Sequence, residues 1–100
     1  MAPDTACRIN DGKEEIVKIS QLMINDKVLV KANETIPVDG KIIQGFSSVD
    51  ESMITGESLP IEKGVDSLVI GGTNNLQGSF IYQVTKTVED STLAKIIELV

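Results

Sequence analysis

The chain lacks histidine and tryptophan, and Cys7 is the one cysteine among its 100 residues. A lone thiol cannot form a disulfide within the chain, and without histidine there is no set of soft ligands for zinc or copper. We therefore expect no metal site of this kind and interpret Cys7 as a small side chain in an N-terminal strand. The absence of histidine also leaves any serine nucleophile without its usual base.

Aromatic and basic residues are scarce. The chain has two Phe and one Tyr, and its nine Lys and Arg are outnumbered by 15 Asp and Glu, which gives a formal net charge of -6. Nucleic-acid binding requires a basic surface for phosphates, and single strands also require aromatic side chains for base stacking. We therefore expect no nucleic-acid partner.

Long apolar segments are also missing. No apolar run approaches the ~20 residues of a membrane-spanning helix, and Met1-Ala2-Pro3 begins no signal peptide. Hydrophobic residues make up 41% of the chain and charged residues 24%, which is typical of a globular protein rather than a disordered one. The length suffices for a single core. We therefore expect one soluble domain.

Residues that favour β-strands are abundant, since Val, Ile and Thr together supply 30 positions. The segments 5–9 and 15–19 flank Asp11-Gly12, which is a strong signal for a β-hairpin. Further strands are predicted over residues 27–31, 37–43, 47–54, 67–70 and 78–88.

The last predicted strand is the longest, and its alternating pattern places four apolar residues on one face: Phe80, Tyr82, Val84 and Val88. A helix is then predicted over residues 91–100, because its apolar residues follow the i, i+3, i+4, i+7 spacing. This pattern runs to Val100 without a C-cap signal, so we expect the chain to be cut from a longer protein. The fold class is mainly β with a short C-terminal helix, and the strand pattern alone leaves a jelly roll or an open barrel as alternatives.

The candidate functional segment is Thr55-Gly56-Glu57-Ser58, which is followed by Pro60. Glycine allows a sharp turn and proline prevents a continuing helix, so we expect an exposed loop with one acid at its tip. A positioned carboxylate can orient a water molecule and take its proton, which is worth ~10²–10⁴-fold in rate. No second catalytic group is evident, so a substrate would have to arrive from outside the domain. The alternative is that the loop has no catalytic role and that Glu57 is an ordinary solvent-exposed acid.

Two other groups of residues permit a chemical interpretation. Asp39, Asp50 and Glu51 could form a site for a hard cation, but Asp39 lies in a turn sequence and the other two occupy consecutive strand positions that face opposite ways. Gly71-Gly72-Thr73 could cradle a phosphate, but no further element of a phosphate-binding motif follows. We favour structural roles for both groups, with a turn at Gly71-Gly72-Thr73.

Five ordered segments together resemble the actuator domain of heavy-metal-transporting P-type ATPases. They cover nearly the whole chain: Ile36-Pro37-Val38-Asp39-Gly40, Val49-Asp50-Glu51-Ser52, Thr55-Gly56-Glu57-Ser58 with Pro60 and Lys63, Val69 to Asn75 with Gly78, and Asp90 to Ile97.

Two turns depart from the family pattern. Asn25-Asp26 stands where the family usually has Gly-Asp, and Ala32-Asn33-Glu34 stands where it usually has Pro-Gly-Glu. Asparagine tolerates the left-handed backbone conformation better than most residues, so we expect both turns to survive the replacement.

The resemblance implies that residues 1–100 are a single actuator domain with a distorted jelly-roll, or double-stranded β, fold. It would be a fragment of a larger integral membrane pump and would lie on the cytosolic face of the membrane. In such pumps ATP phosphorylates an aspartate in a separate domain, and the actuator domain rotates to bring its loop to the acyl phosphate. By this resemblance Glu57 positions and deprotonates the attacking water, Thr55 and Ser58 support the loop, and Gly56 permits close approach to the phosphate.

The resemblance also implies the partners, which are the phosphorylation and nucleotide-binding domains of the same pump and the flanking transmembrane helices. Mg²⁺ and ATP would act in the parent pump, whereas this domain would hold no cofactor and no metal and would hydrolyse nothing by itself. Copper is favoured as the transported ion. The alternatives are the actuator domain of a zinc/cadmium or potassium pump and, from another class, a non-catalytic β-rich interaction module.

Overall fold

The computed structural model describes residues 5–57 and 59–87. Within these ranges the elements are β1 (Thr5–Asn10), β2 (Lys13–Lys18), a 3₁₀ turn (Ile19–Gln21), β3 (Lys27–Val30), β4 (Gly40–Asp50), the helical turn α1 (Ser52–Thr55), β5 (Ile61–Lys63), β6 (Leu68–Val69), β7 (Asn74–Asn75) and β8 (Ser79–Val84). No helix in this part of the chain is both long enough and apolar enough to cross a membrane.

The strands form an antiparallel sheet in the order β2-β1-β3-β8-β4-β5, and β6 and β7 also pair with β4. The first part of β4 pairs with β8 and β6, and its last part pairs with β5 and β7. The β4–β8 register shifts between Ile42 and Gln44, and Gly45 has a φ of 90°. Such an irregularity bends a strand, which lets β4 serve both sets of partners. The mainly β prediction is confirmed.

The hydrophobic core lies against β8. Phe80, Tyr82 and Val84 are buried, as the alternating pattern predicts. They pack with a cluster of apolar residues from the other strands, the 3₁₀ turn and the loops: Ala6, Ile19, Leu22, Val28, Val30, Ile36, Val38, Ile42, Val49 and Val69. Val88 and the helix predicted over residues 91–100 lie outside the described residues.

Three turns adopt the backbone conformations that the sequence predicts. β1 and β2 pair along their whole length, with Thr5 opposite Lys18 at one end and Asn10 opposite Lys13 at the other. Both turn residues have a positive φ, 52° at Asp11 and 76° at Gly12. In the turns that depart from the family pattern, φ is 78° at Asn25 and 68° at Asn33, so both asparagines adopt the left-handed conformation.

Cys7 lies in β1 and is half-buried, in agreement with its predicted place. Its thiol donates a hydrogen bond to Glu14 Oε1 on β2 at 3.4 Å. Burial, together with the neighbouring Glu14 carboxylate, raises the pKa of the Cys7 thiol, so it stays protonated at neutral pH.

The strand predicted over residues 37–43 is wrong at its start, because β4 begins only at Gly40. Tertiary contacts hold the preceding residues out of the sheet. Val38 N donates to the buried Tyr82 hydroxyl at 3.2 Å, and Asp39 Oδ1 accepts a hydrogen bond from Gly71 N at 2.8 Å.

Two further boundaries are corrected. The segment 47–54 is not one strand, because β4 ends at Asp50 and residues 52–55 turn into α1. β8 is not the longest strand, since it has six residues against the 11 of β4. The length of β4 follows from its partners, because four different strands pair with it along its course.

Candidate functional site

The candidate loop begins with the helical turn α1 rather than with a continuation of β4. Asp50 Oδ1 accepts a hydrogen bond from Ser52 N at 2.9 Å, which turns the chain out of the strand. The Glu51 carbonyl then accepts from Ile54 N at 2.9 Å and from Thr55 N at 3.0 Å. Gly56 ends the turn in the left-handed conformation, with a φ of 79°.

Glu57 follows this left-handed glycine and is exposed, as the sequence predicts. Its backbone N–H donates to Thr55 Oγ1 at 3.3 Å, and Thr55 Oγ1 donates to the Glu51 carbonyl at 3.3 Å. Among residues 5–57 and 59–87, no side chain pairs with the Glu57 carboxylate. Ser58, the remaining predicted site residue, lies outside the described residues. The loop therefore presents a carboxylate that the described part of the domain does not itself use.

The Asp50 carboxylate has a structural role at the start of the loop. The hydrogen bond from the Ser52 backbone, followed by one involving the Ser52 side chain, lowers the pKa of Asp50. Asp50 is therefore ionised at neutral pH and holds the turn that leads into α1.

Glu51 does not occupy the strand position that the sequence predicts for it. It stands at the N-cap position of α1, where its side chain makes no capping hydrogen bond, and it is buried. Its Oε2 lies 3.3 Å from Lys63 Nζ. The ammonium group lies within ion-pair distance but off the direction of a hydrogen bond, since Oε2 has no hydrogen-bond partner among the described residues. The sequence pointed to Lys63 only through the family resemblance, and its ion pair with Glu51 was not predicted. The alternation of Ser47, Val49 and Glu51 on one face was the available signal.

The proposed hard-cation set is not brought together. The Asp39 carboxylate accepts a hydrogen bond from Gly71 N, and the Asp50 carboxylate accepts one from Ser52 N. Glu51 forms an ion pair with Lys63. Within the described part of the chain, no group of three or more His, Cys, Asp or Glu side chains could hold a metal ion. Each of these carboxylates has a partner from the protein itself.

Gly71-Gly72-Thr73 forms a turn whose backbone donors are all engaged. Gly71 N donates to Asp39 Oδ1 at 2.8 Å, and Gly72 N donates to the Ile36 carbonyl at 2.7 Å. Thr73 N donates to the Ile70 carbonyl at 3.3 Å. A phosphate cradle requires free N–H groups, so the turn interpretation is confirmed.

Two surface clefts lie elsewhere on the domain. One, of about 240 Å³, is lined by residues that include Cys7 and Glu34, and the other, of about 490 Å³, by residues that include Phe46 and Lys63. Glu57 lines neither of them.

The sequence model of the P-type ATPase actuator domain matches residues 1–100. The copper-exporting P-type ATPases of Staphylococcus aureus strains Newman and COL are each 47% identical to this chain over 92 residues, which is 92% of this chain and 12% of the relative. The chain thus spans about 12% of the length of these curated relatives.

Two solved structures show the same fold. The crystal structure of a zinc-transporting PIB-type ATPase in the E2.Pi state superposes with a TM-score of 0.92 at 34% identity, over 98% of this chain and 16% of that one. A second crystal structure of a zinc-transporting PIB-type ATPase, in a different state, gives a TM-score of 0.92 at 33% identity, over 99% of this chain and 16% of that one. Sequence and fold agree, and the match of the family model over residues 1–100 shows that this chain belongs to the P-type ATPase actuator domain family.

Proposed function

We propose that this chain is the actuator domain of an ATP-driven heavy-metal pump and that Glu57 promotes hydrolysis of the aspartyl phosphate in the pump's phosphorylation domain. One observation carries the proposal. The Glu57 carboxylate is exposed, follows the left-handed Gly56 and has no partner among the described residues. Such an acid is available to a reacting group that another domain brings to it.

In the proposed step, the Glu57 carboxylate orients a water molecule and takes its proton. The water oxygen forms a bond to phosphorus as the bond from phosphorus to the aspartate oxygen breaks, which releases inorganic phosphate. This assistance is worth ~10²–10⁴-fold in rate. Release of the phosphate is coupled to rotation of the domain during transport.

The neighbouring residues support this role. Thr55 holds the backbone of Glu57 through its hydroxyl, and we assign Ser58 a similar supporting part by its place in the motif. Gly56 lacks a side chain, and no atom of residues 5–57 and 59–87 lies within 4 Å of the point where its Cβ would stand. In this proposal the surface of the phosphorylation domain approaches the Gly56 backbone through that space.

In this proposal Mg²⁺ and ATP are bound by other parts of the pump. Among residues 5–57 and 59–87 no cluster of ligating side chains is present, and the Gly71-Gly72-Thr73 backbone donors are engaged internally. We place both groups on the other domains of the parent pump. Positive charge there would also offset the repulsion between a domain of formal net charge -6 and a phosphoryl group.

The proposed partners are the phosphorylation and nucleotide-binding domains of the same pump and the flanking transmembrane helices. In this proposal residues 1–100 form one domain of a larger integral membrane protein and lie on the cytosolic side. Copper is favoured as the transported ion, because the copper-exporting relatives are 47% identical and the zinc-transporting structures 33–34%. The alternatives are a zinc/cadmium or potassium pump.

Glu57→Gln in the full-length pump tests the proposal. The variant should form the acid-stable phosphoenzyme from γ-labelled ATP and lose it at least about 100-fold more slowly in a chase, because the general base is gone. Glu62→Gln, which removes another exposed carboxylate nearby, should decay at the unmodified rate. Normal decay in Glu57→Gln contradicts the catalytic role. Failure of the unmodified protein to form a phosphoenzyme contradicts the proposed function as a whole.

A further inference from the structure

An ion pair between the buried Glu51 and the half-buried Lys63 joins the two ends of the loop that carries Glu57. Glu51 lies directly after β4, and Lys63 is the last residue of β5. Their side chains are 8% and 17% exposed, and Lys63 Nζ stands 3.3 Å from Glu51 Oε2. The segment between them contains α1 and Glu57, so the pair joins the two ends of the loop.

The sheet register explains how the two side chains meet. Ser47 and Val49 of β4 are buried, and Glu51, which is buried as well, continues this inward face. Lys63 stands opposite Ser47 in the β4–β5 ladder, so its side chain starts on the same face and extends toward Glu51. An apolar residue is the usual occupant of such an inward position.

The stability of the fold does not by itself account for this pair. Removing two charges from water is unfavourable, and well-packed apolar side chains of similar volume often serve a fold equally well. Glu51 Oε2 also has no hydrogen bond among the described residues, so the carboxylate is incompletely satisfied. A role in fixing the position of the Glu51 side chain explains why these two charged residues are present.

A continuous set of contacts connects the ion pair to the backbone of Glu57. The Glu51 carbonyl accepts hydrogen bonds from Ile54 N, Thr55 N and Thr55 Oγ1. Thr55 Oγ1 in turn accepts a hydrogen bond from Glu57 N. α1 is a single turn and has little helical stability of its own. Its orientation therefore depends on how firmly Glu51 is held.

We infer that Glu51 and Lys63 are positioning residues for Glu57. Their ion pair fixes Glu51, whose carbonyl holds Thr55, whose hydroxyl sets the backbone of Glu57 relative to the sheet. The inference rests on the proposed function, because it names what aims the carboxylate in dephosphorylation. Loss of either charge releases the base of the loop and lowers the fraction of time that Glu57 spends in the productive orientation.

The test is the rate of phosphoenzyme decay in full-length pump carrying Glu51→Gln or Lys63→Met. Both variants should decay about 10- to 100-fold more slowly, since a displacement of about 1 Å at a reacting group can reduce a rate by ~10²-fold. Lys63→Arg keeps the charge and should restore most of the rate. Lys41→Met removes the cation of the exposed Lys41–Asp66 pair, 3.7 Å apart, and should decay normally.

Decay is measured only on molecules that have been phosphorylated and are therefore folded. A purely structural role lowers the amount of phosphoenzyme and leaves its decay rate unchanged, and that result overturns the inference. Normal decay in Lys63→Met beside slow decay in Glu57→Gln overturns the inference alone. Normal decay in Glu57→Gln overturns the proposed function as well.

Hydrogen exchange of the full-length pump, followed by mass spectrometry, covers the case in which Lys63→Met forms no phosphoenzyme. We expect faster exchange in peptides that span residues 51–60 and unchanged exchange in peptides from β8. Equal loss of protection in both regions means that Lys63 supports the fold as a whole, which overturns the inference. Unchanged exchange in both regions overturns it too.

Discussion

Gly56 and Gly12 offer a matched comparison for the role of the glycine in the candidate loop. Both are left-handed, with φ of 79° and 76°. Within the part of the chain that the structure describes, no atom lies within 4 Å of the point where a Cβ would stand at either position. Gly12 lies in the β1–β2 turn, whereas Gly56 precedes Glu57. Alanine at the two positions therefore introduces the same strain and clashes with none of the described residues.

The effect on stability follows from this geometry. Placing an L-residue in the left-handed region costs ~1–2 kcal/mol, and the reduced entropy of the unfolded chain offsets ~0.4–1 kcal/mol of it. The net loss is about 1 kcal/mol for Gly56→Ala and the same for Gly12→Ala. In a chain of 100 residues this lowers the thermal midpoint by ~4–8 °C.

The effect on dephosphorylation should separate the two variants. In full-length pump, Gly12→Ala should leave phosphoenzyme decay unchanged, and Gly56→Ala should slow it about tenfold or more, because the added methyl group displaces the approaching phosphate. The assays are thermal unfolding of the chain and a chase of labelled phosphoenzyme. Equal decay rates in the two variants would refute the close-approach reasoning. A much larger stability loss at Gly56 would show that the glycine has a packing role.

Two further predictions concern the domain itself. Tyr82→Phe should lower the free energy of unfolding by ~1–3 kcal/mol in urea titration, because Val38 N loses its buried acceptor; an unchanged midpoint would contradict this. The hydrogen bond from Ser52 lowers the pKa of Asp50 below its ordinary value near 3.8, so its contribution to stability is complete above that pH and is lost as the pH falls through the lowered pKa. Asp50→Asn should therefore weaken the fall of the thermal midpoint on acidification below about pH 4, and parallel curves for both proteins would show that the bond has no such role.

Much of the fold could be predicted from the sequence where the determinants are local. The β1–β2 hairpin formed around Asp11-Gly12 because these residues favour positive φ in any context. The inward face of β8 followed from strict alternation, since successive strand residues point to opposite sides. The exposure of Glu57 followed from its neighbours Gly56 and Pro60.

The candidate loop could be predicted from the sequence as a motif, but its shape could not. The sequence predicts a strand running to residue 54, whereas Asp50 bonds to Ser52 N and the chain turns into α1. A pattern of hydrophobic and polar residues over so short a segment does not distinguish a strand from a single helical turn. The hydrogen bond from Ser52 N to the Asp50 carboxylate decided the outcome.

Tertiary structure alone decided the course of β4 and the environment of Glu51. The strand starts at Gly40 because Tyr82 and Gly71 hold the preceding residues, and these partners are more than 30 positions away along the chain. Glu51 meets Lys63 because β5 folds back beside β4. The sequence by itself determined the family, the turns, the strand faces and an exposed acid after a glycine. Which strands lie side by side, and therefore what holds that acid in place, depends on contacts between distant segments that form only when the sheet closes around its core.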